Sequence, residues 1–73
     1  MSWRDDVLRI IHREWNPGDS FSIDDMYSFH DELRQQHPLN RHIADKIRQQ
    51  LQVLRDEGVL EFVDNHGTYR RST

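Results

Sequence analysis

Cysteine is absent from the sequence, so no disulfide can brace the chain and no thiolate can hold a metal. No uninterrupted apolar stretch reaches even ten residues, which excludes a membrane span and the apolar segment of a secretory signal within these 73 residues. A cytoplasmic setting, in a prokaryotic cell or its virus, is the expectation. Glycine and proline are scarce, three and two respectively, and no linker, repeat or low-complexity stretch interrupts the chain. Catalytic signatures are missing too. There is no Gly-rich phosphate loop, no Gly-x-Ser-x-Gly elbow, and no nuclease pattern of spaced acids followed by Glu-x-Lys. A chain of this size builds one small core and has few positions to give to chemistry, so a binding module is expected rather than an enzyme.

The formal charge of −3 argues against non-specific coating of nucleic acid. That average hides a division. Residues 1–39 hold Arg4, Arg9, Arg13 and Arg34 against eight acidic side chains, a net of −4. Residues 40–73 hold Arg41, Lys46, Arg48, Arg55, Arg70 and Arg71 against five, a net of +1, so a polyanion is expected to meet the C-terminal half.

Ser2-Trp3-Arg4-Asp5 has the capping-box spacing, and Trp3, Val7, Ile10, Ile11 and Trp15 follow at helical intervals until Asn16-Pro17-Gly18, which predicts a first helix over 3–15. A short extended stretch around Phe21 precedes Ser22-Ile23-Asp24-Asp25, a second capping pattern. The run Ile23, Met26, Phe29, His30, Leu33 then predicts one helix over 23–36. Pro38 blocks its continuation, and Asn40 is placed to cap the next helix, expected over 41–57, with its apolar stripe Ile43, Ile47, Leu51, Leu54 and a left-handed end at Gly58. Val59–Val63 and Thr68–Arg71 read as two strands joined by Asp64-Asn65-His66-Gly67, a hairpin over 59–71.

The resulting order is helix, short strand, helix, helix, strand, wing, strand. It is an α+β winged helix-turn-helix of three helices and a small antiparallel sheet, in one domain over 1–73. Such a fold lays the second helix of the pair in the major groove and its wing on the neighbouring backbone. With the apolar stripe inward, Arg41, His42, Asp45, Gln49 and Gln52 fall on the outer face and Arg48 at its edge. Arg and Gln there suit the edges of guanine and adenine, and Asp45 can accept from cytosine or orient Arg41 or Lys46. Gln50 lies near the inward direction and is expected to satisfy buried backbone groups. His66 and Arg70 in the wing suit phosphate contact.

Trp3, Trp15, Phe21, Phe29, Phe62 and Tyr69 sit at core-facing spacings, so most are expected to pack, with Trp15 and Tyr27 the least determined. The five histidines form no His-x-x-x-His pair, so neither a metal nor a cofactor is expected. Asp5-Asp6 and Asp24-Asp25 fall in first helical turns, where they complement the helix dipole. No heptad seam or long extra helix offers a dimer interface, which predicts a monomer.

The runs Phe21–Phe29, His37–Ile43 and Asp45–Gly58, the last containing Lys-Ile-Arg-Gln-Gln-Leu-Gln-Val-Leu-Arg-Asp, together with Leu60-Glu61-Phe62 and Gly67-Thr68-Tyr69-Arg70, resemble the C-terminal winged-helix domain of the Dam-replacing family. There the domain accompanies a methyl-directed type II restriction nuclease that cuts GATC sites carrying N6-methyladenine. The resemblance implies a reader of N6-methyladenine in duplex DNA, within fully methylated GATC, as the specificity module of such an endonuclease. It also implies Asn40, Arg41, His42, Asp45, Lys46 and Gln49 as groove readers, with His66 and Arg70 on the backbone. The family's nuclease region has no counterpart in these residues, so either an excised C-terminal part or a stand-alone reader is expected. The wing tip is also less basic than an arginine-rich one. The alternatives from the residues alone are a DNA-binding regulator indifferent to methylation and a winged helix that docks proteins through its acidic half.

Overall fold

Ser2 caps the first helix: its side chain accepts from the Asp5 N–H at 3.0 Å, and the helix α1 runs Trp3–Glu14. Trp15 closes it, donating its N–H to the Ile11 carbonyl, before the turn at Asn16–Asp19. The computed structural model describes residues 2–64 and 66–73. The remaining elements are β1 (Ser20–Ser22), α2 (Ile23–Tyr27), α3 (His30–Gln36), α4 (Ile43–Asp56), β2 (Leu60–Phe62) and β3 (Thr68–Arg71).

The single helix expected over 23–36 is two. Ser22 and Asp25 form the anticipated capping box at the start of α2, but Ser28 ends it. The Ser28 hydroxyl donates to the Asp25 carbonyl at 2.6 Å, and the Ser28 and Phe29 N–H groups bond three residues back. Serine thus offers the backbone a local alternative to the α-helical ladder. Phe29, at φ −96° and ψ 14°, then starts α3 afresh without a side-chain cap. Met26 and Leu33 both end fully buried, and Phe29 sets its ring edge-on to Trp15 at 6.1 Å.

The next helix begins at Ile43 rather than 41. The Asn40 carboxamide closes a short turn by accepting from the His42 N–H at 2.9 Å, so residues 41 and 42 belong to that turn and Asn40 does not cap the helix itself. At the other end Gly58 takes φ +83° as anticipated. Its N–H donates to Arg55 and that of Val59 to Leu54, which closes α4 in a left-handed cap.

The three strands are antiparallel in the order β1-β3-β2, with Phe21 and Phe62 both opposite Tyr69. One core lies between sheet and helices. It takes Val7, Ile10 and Ile11 from α1, Met26, Leu33, the whole stripe Ile43, Ile47, Leu51 and Leu54 of α4, and Phe21, Leu60 and Tyr69 from the sheet. Burying four aliphatic side chains of α4 contributes about 1.5–3 kcal/mol each, which fixes which face of this helix is left outside.

Candidate nucleic-acid interface

With the stripe of α4 buried, its Asp45, Gln49 and Gln52 face solvent together with His42 of the preceding turn, flanked by Lys46 and Arg48. These six residues line a shallow concavity of about 430 Å³. His42 and Asp45 are both largely exposed, with Nδ1 and a carboxylate oxygen 3.8 Å apart. Of the residues expected on the outer face, His42, Asp45, Gln49 and Gln52 are brought together with Arg48 at their edge, while Arg41 lines a separate concavity. Gln50 is half-buried and stands apart from them.

Arg48 and Gln52 also line a second groove, of about 350 Å³, between α4 and the wing. His66 and Gly67 form its other wall, and Ile23, Phe62 and Tyr69 its apolar floor. The wing is held close by a hydrogen bond from the Ile23 N–H to the Gly67 carbonyl at 2.8 Å. Its turn is ordered by Asp64, whose carboxylate accepts from the backbone N–H groups of His66 at 2.8 Å and Thr68 at 3.3 Å. The His66 bond, foremost, holds the Asp64 carboxyl below the ordinary aspartate range. Asn65, expected in the same tip, lies outside the described residues.

Arg70 is not part of this cluster. Side chains alternate along β3, so with Tyr69 buried against the core Arg70 lies on the opposite face of the sheet, where it pairs with Glu61 at 2.7 Å. Glu61 is correspondingly held below the ordinary glutamate range by that hydrogen bond. Phe62, expected in the core, is 40% exposed at the mouth of the wing groove, with the Arg55 guanidinium 4.4 Å above its ring. Tyr69 lies beneath it. Burial raises the Tyr69 phenol above its usual value, and Arg55 and Arg48 pull the other way.

The pairing of the cations sorts them by face. On the α1 side, Arg4 bonds Glu57 at 2.6 Å and Asp5 at 3.0 Å, Arg9 bonds Asp6, and Arg13 bonds Glu14 and Glu32 at 2.8 Å. Among the described residues, Arg34, Arg41, Lys46, Arg48 and Arg71 have no carboxylate side chain within ion-pair distance, and Arg71 is taken up by the backbone oxygens of Trp15 and Thr73. Nothing in the sequence points to Arg34, because it belongs to the acidic half. The fold sets it beside Arg41, with which it lines a concavity next to Pro38 and Asn40.

A helix, turn and outward helix backed by a three-stranded sheet with a projecting hairpin define a winged helix-turn-helix domain. The chain belongs to the family described as the Dam-replacing HTH domain, whose model matches residues 1–71 of the 73. That family is of the DNA-binding helix-turn-helix class. Among the described residues no helix is long and apolar enough to cross a membrane, and no group of three or more His, Asp or Glu side chains is placed to hold a metal.

Proposed function

We propose that this chain reads N6-methyladenine in duplex DNA, within fully methylated GATC, by laying α4 in the major groove as the specificity module of a methyl-directed endonuclease. The observation that carries the reading is the gathering of carboxylate-free cations on α4, the turn before it and the adjoining end of α3. Phosphate binding requires cations not already spent on carboxylates, and Arg34, Arg41, Lys46 and Arg48 meet that condition. Gln49 and Gln52 present carboxamides to the bases, suited to adenine N6 and N7, and Arg41 can fork onto guanine. The groove between α4 and the wing receives one strand, with Arg48 and His66 at phosphates.

In GATC the two adenines occupy adjacent base pairs on opposite strands, and both N6-methyl groups project into the same major groove. One helix can therefore meet both. An apolar contact is worth about 0.8 kcal/mol per methyl, so two give roughly tenfold discrimination. The test is the affinity for one GATC duplex in fully methylated, hemimethylated and unmethylated form, by fluorescence anisotropy at fixed salt. Tighter binding to the fully methylated duplex by about tenfold is expected. Equal binding to all three would leave only a general DNA-binding winged helix.

A further inference from the structure

Arg34 is exposed in the last turn of α3, where Asp31 three residues before it is placed to pair with it. No such pair forms. The Asp31 carboxylate stands 3.6 Å from Nδ1 of His30, and among the described residues no carboxylate lies within ion-pair distance of Arg34. The helix dipole accounts for one cation in a last turn, but not for a second unpaired one beside it. That second cation is Arg41, which lines the same concavity of about 320 Å³ together with His30, Pro38, Asn40 and Ile43. Arg41 is carried on a fixed turn, since the Asn40 N–H donates to the His37 carbonyl at 3.1 Å and the Asn40 carboxamide accepts from the His42 N–H at 2.9 Å. Two guanidinium groups that share a concavity without a carboxylate raise its potential, which an anion relieves.

Its place along α4 says which anion. The concavity lies at the leading end of the helix and the wing groove, with Arg48, Gln52 and His66, toward the other, so that the outward concavity of α4 falls between them. From Ile43, which lines the first, to Gln52, which lines the second, the helix rises by nine residues, about 13 Å at roughly 1.5 Å each, against about 12 Å for the width of the major groove. One phosphate cannot serve both ends. We infer that Arg34, backed by Arg41, binds a backbone phosphate beyond the leading end of α4, a second anchor distinct from the one at the wing. This inference rests on α4 lying in the major groove, as proposed above, and not on methyl reading.

The experiment measures duplex affinity by fluorescence anisotropy over a range of salt for wild type, Arg34→Ala, Arg34→Lys and Arg4→Ala. Arg34 is exposed, so its truncation leaves the fold intact, which a thermal melt checks. The salt slope of Arg34→Ala is expected to be shallower than that of wild type by roughly 0.9, one phosphate contact. Arg34→Lys keeps the wild-type slope, because lysine still binds phosphate as a point charge, and so does Arg4→Ala, whose cation is spent on Glu57 and Asp5. A second measurement locates the phosphate. GATC reads the same on both strands, so a neutral methylphosphonate is placed at one chosen position in both strands of each duplex. A position that weakens wild type severalfold and leaves Arg34→Ala indifferent marks the Arg34 phosphate, and a different position is expected to do the same for His66→Ala. An unchanged slope in Arg34→Ala, or one position masked in both variants, would overturn the second anchor while leaving α4 in the groove. A wild-type affinity indifferent to salt would remove that placement of α4 and this inference with it.

Discussion

Asp6 shows how much a single residue can hide. In the sequence it is one of two acids in a first helical turn, alike in role to Asp5. In the structure the Asp5 side chain is 67% exposed and that of Asp6 fully buried, receiving His37 from 31 positions away and Arg9 from the next turn. No spacing rule links positions 6 and 37, so the pair is legible only once the helices are placed. Removing Asp6 leaves the largely covered His37 ring without its carboxylate, whereas removing His37 leaves Asp6 paired with Arg9. Asp6→Ala is expected to cost about 3 kcal/mol, toward the low end for a broken buried pair because Arg9 stays half exposed. Urea unfolding of the two single variants and of Asp6→Ala/His37→Ala checks this, with the double variant costing clearly less than the sum. Gly67 is the second residue whose role is local and testable. It takes φ +86°, and a Cβ there meets Ile23 Cγ2 at 3.1 Å, whereas a Cβ at Gly58, at φ +83°, meets nothing within 4 Å. Gly58→Ala therefore bears only the left-handed backbone cost, about 1–2 kcal/mol, and Gly67→Ala bears that plus a crowded contact with the Ile23 side chain. Thermal melts should rank Gly67→Ala below Gly58→Ala.

Among the elements, α1, α4 and the hairpin are readable because their apolar spacing, caps and turn residues agree with one another. The stripe of α4 is legible residue for residue, and the outward face follows from it. The middle of the chain is not. Ile23 to Leu33 has a continuous helical period, and period alone cannot register that the Ser28 hydroxyl takes a carbonyl from the ladder. The start of α4 is misplaced by the sequence for a related reason, since Asn40 is equally suited to cap a helix or to close a turn. The wing adds a pH dependence of its own. Asp64 is held below the ordinary aspartate range by backbone N–H groups, so the order it contributes is present above about pH 3.9 and lost as pH falls through its lower folded value. The amide resonances of His66 and Thr68 are expected to titrate with a midpoint below about 3.9, and Asp64→Asn to remove that transition. A midpoint at or above that value would contradict the hydrogen bonds to Asp64.

For the molecule as a whole, the net charge of −3 is a poor guide, because charge is sorted by pairing and not by count. Dividing the sequence at residue 40 sets Arg34 apart from Arg41 and groups Arg70 with the cations of α4. Only the fold shows that Arg34 joins Arg41, and that Arg70 is spent on Glu61 across the far face of the sheet. The salt dependence of duplex affinity, compared between wild type and Arg41→Ala/Lys46→Ala/Arg48→Ala, tests whether α4 meets the DNA. If α4 and its unpaired cations form the interface, log affinity falls linearly with log salt, and the variant's slope is shallower by roughly 0.9 for each phosphate left without its cation, up to about 3 units. An unchanged slope in the variant would place DNA on another face of the domain.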